Sequence, residues 1–474
     1  MFGPVAIALA TAIGYLAIAP AVVNGDGLGY LKASVHGNLY PGHLGYVPLL
    51  MFLRRIAGVG PQPVDGLWVA RALSAVSAGI AVWALGAAAR RLFDARESPR
   101  AGLIASGGLA ASFGCMSSGS DVETYAPALA ALCLTIYGLA RRRTGGGPAS
   151  TVLAAVALAV ATLLHVENVL FGLCALFALP RRDRVGFVAI SSLLVLAAYG
   201  LAGFGAGWLL GASHGFHYPL SAATPFIALY GACKALLFSP YPYEASWARV
   251  LGHFVPGALA LGTLAFIVLA RDLARPTRAP LGAAATWAWA VPYGAVGVAF
   301  FASDAERWIF LLPLVWLTVA TTRSRSQLAL TVAVGLLLLN LAVWLPHARD
   351  TDWRDRARAV STHLAPGDLV VSPGHGWDEY IGFYEGVPVG HFPLVFHAGQ
   401  LGSADAVRRA LAEAVRDARA RHHEVYLVRF TDDGTDPMGW KELLPFGITR
   451  DNAASLFPPG AREPIAPALQ HLAR

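Results

Sequence analysis

The sequence predicts an α-helical polytopic membrane protein followed by a small C-terminal α/β domain. Three observations carry that expectation. Of 474 residues, 56% are hydrophobic and only 14% charged, with a mean hydropathy of +0.53, too little polar surface to cover a soluble protein. Apolar runs of about twenty residues recur, each long enough to cross a bilayer as a helix. From about His347 onward the chain turns charged and gains Pro and Gly punctuation. The net charge of +7 sits mainly in short Arg clusters between apolar runs, a pattern that sets topology rather than one that binds nucleic acid.

Because Lys- and Arg-rich loops stay in the cytoplasm, those clusters assign a side to each segment. Residues ~4–23 form the first span, retained rather than cleaved, since no Lys or Arg precedes a run longer than a signal h-region. It leads outward and puts Asp26 outside the cytoplasm. The next run, ~43–53, is short, carries Pro48 and ends in Arg54-Arg55. If it crossed, the following helix would leave Arg90, Arg91, Arg96 and Arg100 outside, so it is expected to lie on the outer surface as an amphipathic helix.

Spans follow at ~67–89, ~101–118 and ~123–140, then a short pair at ~149–165 and ~167–180, then ~185–211. The segment 213–253 stays outside, with an apolar piece near ~223–238 that is re-entrant or interfacial. Spans at ~254–270, ~281–301, ~307–321 and ~326–346 complete about eleven. The chain thus divides into a transmembrane domain, 1–346, with a first extracytoplasmic loop at 24–66, and a soluble extracytoplasmic domain, 347–474.

In the tail, Asp352–His363 reads as a helix and Gly367–Ser372 as a buried strand after a Pro-Gly turn. Ser403–Arg421 reads as an amphipathic helix and Glu424–Phe430 as another strand, an alternation that suggests an α/β domain. The tail has neither a phosphate-binding Gly-rich loop nor a nucleophile elbow. Cys115, Cys133, Cys174 and Cys233 lie in or beside apolar segments without a CxxC pair, so neither a disulfide framework nor a zinc site is expected.

The topology drawn from basic clusters places the membrane-flanking acids on one side. Asp26, Asp121, Glu123, Glu167, Glu244, Asp304 and Glu306 all fall at extracytoplasmic ends or loops, with His36, His43, His165, Lys32, Lys234 and Arg307. Carboxylates can act as a base or hold a metal, and Arg or Lys can neutralise a phosphate. Each residue also has a plainer reading. Asp26, between Gly25 and Gly27, fits a turn or a helix N-cap. Ser120-Asp121-Val122-Glu123 has capping-box spacing, as does Ser303-Asp304-Ala305-Glu306. His165-Val166-Glu167-Asn168 interrupts a long apolar run and fits the tip of a helical hairpin. His214 and His217 lack an acid partner for a metal. Tyr241, Tyr243 and Trp247 fit an interfacial belt as well as sugar stacking.

With these residues in order, the first ~200 residues resemble GT-C membrane glycosyltransferases, in the branch of protein O-mannosyltransferases and their bacterial relatives. Asp26 matches the Asp that this family carries just after its first span. Pro41-Gly42-His43-Leu44-Gly45-Tyr46-Val47-Pro48 is similar to a His-Pro-Pro-Gly-Tyr-Pro-like motif that opens the surface helix, although the Pro pair is missing. Arg71-Ala72-Leu73-Ser74-Ala75 fits an Asn/Arg-x-x-Ser-Ala pattern in the following span. Ser118 to Tyr125 compares with a Ser-x-x-x-Glu-Val-Tyr-like motif, and His165 to Asn168 with a short His-x-x-Asn stretch.

The resemblance implies transfer of a hexosyl or pentosyl group from a polyprenyl-phosphate donor to an extracytoplasmic protein, lipid or glycan, with inversion. Asp26 would be the general base. His43, Asp121, Glu123, His165 and Glu167 would bind or orient acceptor and donor, and Lys234 and Arg307 would hold the donor phosphate. Some GT-C enzymes use a divalent metal; none, and no other cofactor, is expected here. Membrane lipid is a partner and nucleic acid is not. The likeness favours a bacterial cytoplasmic membrane, with the site on the outer face. Two other classes compete: a transporter or flippase of a lipid-linked or anionic solute, and a non-catalytic subunit. The first would place charges near the bilayer midplane and show inverted repeats, and the second would tolerate Asp26→Asn.

Overall fold

A computed structural model describes residues 3–93, 98–204, 231–236, 280–301, 305–321, 326–374, 376–430, 440, 443–449, 452–457, 462–466 and 469–472. The expected span at ~254–270, the residues His214, His217, Tyr241, Tyr243, Glu244 and Trp247, and Asp304 lie outside them. The chain is mostly helical and forms two compact units, Met1–Pro20 with Tyr30–Arg349, and Ala21–Gly29 with Asp350–Arg474.

The first unit is built from helices. They are α1 (Gly3–Ala17), the C-terminal part of α2 (Gly25–His36), α3 (Tyr46–Ile56), α4 (Leu67–Leu92), α5 (Ala101–Ala111) and α6 (Phe113–Ser120). Next come α7 (Tyr125–Arg143), α8 (Pro148–Leu164), α9 (Phe171–Ala178) and α10 (Arg181–Leu201). Then follow α11 (Ala283–Phe301), α12 (Leu312–Ala320) and α13 (Ser326–Ala348). Helix α4 packs against both α1 and α7, and α8 packs against α7. Small residues permit the close approach: a Cβ at Gly86 would fall 1.9 Å from Ser106 Oγ, and one at Gly138 2.9 Å from the Ala154 nitrogen.

Among the described residues, three helical segments are long and apolar enough to cross a membrane: Pro63–Leu92, Arg181–Leu201 and one within Ser326–Ser361. A fourth follows if α5 and α6, bent by 62°, count as one span. Only 17% of the apolar window of α10 is buried, so its Val185, Leu193, Leu196 and Leu201 form a face suited to lipid. Val5, Leu9, Ile13 and Leu16 make a similar stripe on α1. With 11 residues, α3 is too short to cross; it buries Tyr46, Val47, Leu50 and Arg54 and exposes Met51, Phe52 and Ile56.

Two expectations are corrected here. The first helix ends at Ala17, short of the expected ~23, because the Pro20 ring cannot continue a helix without clashing with the turn before it. The expected single span at ~101–118 is broken at Ser112, whose backbone is extended. The carbonyls this break exposes find new donors. Tyr15 Oη donates to Ala110 O, and Asn340 Nδ2 donates to Ala111 O at 2.8 Å. Ser112 Oγ donates to Gly108 O and accepts from Trp316 Nε1. Irregular backbone at membrane depth needs such partners.

The second unit joins residues 21–29 to the tail. Its helices are α14 (Asp352–Ser361), α15 (Ile381–Tyr384), α16 (Leu394–Leu401) and α17 (Ala404–Ala420). The strands are β1 (Leu369–Ser372), β2 (Gly390–Pro393), β3 (Val425–Val428), β4 (Arg462–Ala466) and β5 (Leu469–Leu472), in the order β2-β1-β3-β5-β4. Strand β1 runs parallel to both β2 and β3, with Leu369 opposite Gly390 and Val425, and β5 is antiparallel to β3 and β4. Val371, Phe392 and Leu427 of the sheet pack with Val407, Leu411 and Val415, one stripe of α17. Ser403 caps that helix by accepting from the Ala406 nitrogen.

Candidate active site

Of the sequence candidates of the first unit, His43, Asp121, Glu123, His165 and Glu167 collect at one end of α7. At its other end, Arg142 Nε donates to Asp183 Oδ2 at 2.5 Å, and Arg143 Nη1 to Leu281 O at 2.6 Å. The basic clusters and the acid-and-histidine residues therefore sit at opposite ends of a 19-residue helix, about 28 Å apart.

Helix α8 stops at His165, whose extended backbone leads into the 3-10 turn Val166–Leu170. Asn168 explains the stop. Fully buried, it donates through Nδ2 to Ala161 O and His165 O, carbonyls at the helix end that also accept from the His165 and Asn168 nitrogens, and accepts at Oδ1 from Tyr293 Oη at 2.8 Å. The segment Pro41–Gly45 docks on the same end. Gly45 N donates to Leu163 O at 2.7 Å, and His43 Nδ1 lies 3.2 Å from Leu164 O. A Cβ at Gly45 would meet Leu163 at 3.2 Å, so glycine allows this approach. A carbonyl only accepts, which assigns the proton of neutral His43 to Nδ1 and makes Nε2 the acceptor nitrogen.

These contacts assemble a cluster of rings. His165 packs on His43 at 4.8 Å between centroids, on Tyr125 at 4.7 Å and on Phe310 at 5.1 Å. Tyr30 meets His43, Tyr40 and Tyr46 edge-on at 5.0–5.8 Å. Edge-to-face arrangements of this kind are the favoured ones for aromatic pairs. Carboxylates surround them. Glu167 Oε2 is 3.9 Å from His165 Nδ1. Asp121 and Glu123 are buried in the link between α6 and α7. Burial pushes the Tyr46 hydroxyl pKa up, and the nearby Glu123 and Asp121 push it further.

The capping-box reading of Ser120 and Glu123 does not hold. Ser120 Oγ donates back to Met116 O, Glu123 N donates to Ser74 Oγ at 3.5 Å, and Asp121 Oδ1 accepts from the Val122 nitrogen. Helix α7 instead starts after Thr124, without a side-chain cap. Arg71 and Ser74, of the Arg-x-x-Ser-Ala match, also hold backbone: Arg71 donates to Pro20 O, and Ser74 receives the Glu123 amide.

Lys234 is buried in the helical turn 231–236, whose Leu236 O accepts from Asn340 Nδ2 and whose Ala235 O lies against Gly114. Arg307 belongs by its backbone to the 3-10 turn Ala305–Leu311, which also carries Phe310; its side chain is outside the described residues. Among the described residues no three His, Cys, Asp or Glu side chains group closely enough to hold a metal ion.

Asp26 belongs to the second unit. It sits in the first turn of α2, not in an irregular loop, and it is not the cap: Asn24 Oδ1 accepts from Gly27 N, and Asn24 O from Leu28 N. An acid in the first turn of a helix complements the positive end of its dipole. Gly25 and Gly27 read as a turn, and the Asn24 cap turned that stretch into a helix start.

The same unit holds a polar network that sequence reasoning missed. Asp378, with no side-chain exposure, is 2.8 Å from Arg429 Nε and 2.6 Å from His391 Nε2. Ser372 Oγ is 3.0 Å from that same Nε2. A nucleophilic relay needs the two ring nitrogens to face different partners, so this trio is not a catalytic triad. Burial pushes the Asp378 carboxyl up, but Arg429 and then His391 outweigh it and hold it below the usual carboxylate range. Arg429 has a left-handed backbone, φ 64°, and donates to Gly374 O.

No protein-family model and no curated protein matches the sequence. Solved structures do match its fold. ArnT from Cupriavidus metallidurans bound to undecaprenyl phosphate aligns over 93% of this chain and 94% of its own, at 14% identity and a TM-score of 0.57; its apo structure gives the same figures. The Archaeoglobus fulgidus oligosaccharyltransferase tethered with an acceptor peptide containing the NVT sequon aligns over 90% of this chain and 69% of its own, at 11% identity and a TM-score of 0.53. Apolar helices long enough to cross a membrane, set in this fold, make the chain an integral membrane protein. At these identities the likeness is one of fold, which the chain shares with both proteins.

Proposed function

We propose that this protein is an inverting membrane glycosyltransferase that moves a sugar from a polyprenyl-phosphate donor to an acceptor hydroxyl outside the cytoplasm. The observation that carries the reading is a fold shared over nearly the whole chain with a protein solved bound to undecaprenyl phosphate. The ring-and-carboxylate cluster at one end of α7 supports it, because aromatic faces and buried acceptors suit a sugar with many hydroxyls.

In this reading Asp26 takes the proton of the acceptor hydroxyl as its oxygen bonds to the anomeric carbon. The anomeric carbon–phosphate oxygen bond breaks, and the electron pair leaves with the polyprenyl phosphate. Lys234 and Arg307 stabilise that leaving anion. His43, Asp121, Glu123, His165 and Glu167 bind and orient donor and acceptor. The acceptor is a protein, lipid or glycan of the cell envelope, the membrane is the bacterial cytoplasmic membrane, and site and tail face away from the cytoplasm. The mechanism requires no metal.

Membranes from cells lacking the protein, and from cells restored with it, would be incubated with radiolabelled hexosyl- and pentosyl-undecaprenyl phosphates. A labelled product that appears only with the protein is expected, and it identifies the acceptor. No difference with any donor would contradict the reading.

A further inference from the structure

In the sheet-bearing unit two phenols hold one residue of the segment that carries Asp26. Val23, fully buried, donates through its backbone nitrogen to Tyr384 Oη at 3.0 Å, and its carbonyl accepts from Tyr380 Oη at 2.5 Å. Val23 immediately precedes Asn24, which caps α2, and Asp26 lies in the first turn. Both polar groups of the peptide backbone just before the helix are thus fixed by side chains from one short helical stretch, the 3-10 turn Trp377–Tyr380 and α15.

That stretch is itself anchored. Tyr380 and Tyr384 stack on each other at 5.9 Å with an interplanar angle of 14°. Trp353 packs edge-on against Tyr380, and Arg354 lies 4.7 Å over the Tyr384 ring. Asp378, in the same turn, is tied to Arg429 after β3 and to His391 on β2. Gly376 leaves room for the guanidinium, since a Cβ there would fall 2.3 Å from Arg429 Nη1. A continuous path of buried polar bonds and stacked rings therefore runs from the sheet to the backbone ahead of Asp26.

We infer that Tyr380 and Tyr384 are positioning residues that hold the start of α2, and with it Asp26, in its working orientation, and that the Asp378–Arg429–His391 network stiffens their helix. The inference rests on the proposal that Asp26 is the base. A base displaced by about 1 Å forfeits much of its rate while ground-state binding persists.

The test uses the full chain in nanodiscs with Tyr380→Phe/Tyr384→Phe, the single Tyr384→Phe, and Asp26→Asn. Hydrogen exchange of the peptide covering residues 21–29 is measured beside transfer from the undecaprenyl-phosphate sugar found active in membranes. The double variant is expected to exchange faster in that peptide and to lose about tenfold in kcat with little change in the donor KM. The single variant should fall between it and wild type, and it carries the test if the double variant does not accumulate. Wild-type exchange, or faster exchange with wild-type kcat, overturns the positioning role. Asp26→Asn is expected to abolish transfer with exchange unchanged; if it transfers normally, the base assignment itself fails, an outcome that the tyrosine variants cannot mimic.

Discussion

His43 and His165 pack ring against ring, 4.8 Å between centroids and tilted by 59°, although they are far apart in the sequence, one from the turn Pro41–His43 and one from the end of α8. Their meeting is fixed by a backbone bond, Gly45 N on Leu163 O, and by the ring's own bond, His43 Nδ1 on Leu164 O. The ring pair is therefore a built feature of the helix end and not a chance contact of long side chains.

His165 is 1% exposed and touches three other rings. His165→Ala is expected to leave a cavity and destabilise the unit by roughly 2–4 kcal/mol, as for other large buried side chains. His165→Phe should keep most of that packing while removing both nitrogens. In the glycosyltransferase reading its thermal midpoint stays near wild type and its transfer falls several-fold. Melting curves and transfer assays on the two variants separate packing from chemistry.

Asn340 bridges two carbonyls, Ala111 O at the break between α5 and α6 and Leu236 O of the turn that holds Lys234. Asn340→Leu keeps the branched shape and strands both acceptors in an apolar setting. About 1–3 kcal/mol of destabilisation per group is expected, read as a lowered unfolding midpoint in detergent. Asn340→Ser should lose less than Asn340→Leu if one bond survives.

Asp378 sets a pH dependence whose sign follows from its environment. Its carboxyl is held below the usual range in the folded unit. The stability it contributes is complete above the unfolded value of about 4 and is lost as pH falls through the lower folded value. Arg429→Ala removes the main compensation and leaves burial dominant, which raises the carboxyl instead. The variant is expected to lose about 3–5 kcal/mol at neutral pH and to regain part of it on mild acidification, opposite to wild type. Melting of the full chain between about pH 4 and 8 checks this.

Much of the first unit was legible because polar residues are conspicuous in apolar runs. His165, Glu167 and Asn168 interrupt some thirty apolar residues, and a helix does end there. Arg clusters marked one end of α7 and acids the other. Aromatic partners are not legible: Tyr46, Tyr293 and Phe310 look like any membrane-helix aromatic until the fold brings them into the cluster around Tyr30, His165 and Asn168. The break at Ser112 was missed because Gly, Ala and Ser in a row carry no stop signal, and its cause, Asn340 and Trp316, lies far along the chain. The same distance hid the Asp378–Arg429–His391 network, whose members come from three separate elements. Position alone points to Asp26, but its helical setting depends on the cap that Asn24 supplies.

In the proposed reaction Asp26 is the base of the sugar transfer. The most direct measurement is the turnover of the purified full chain, wild type against Asp26→Asn, with the active undecaprenyl-phosphate sugar and its acceptor. The variant is expected to keep the wild-type unfolding midpoint and donor affinity and to lose at least roughly a hundredfold in kcat, the scale of general-base catalysis. An Asp26→Asn protein that turns over within about threefold of wild type would contradict that role.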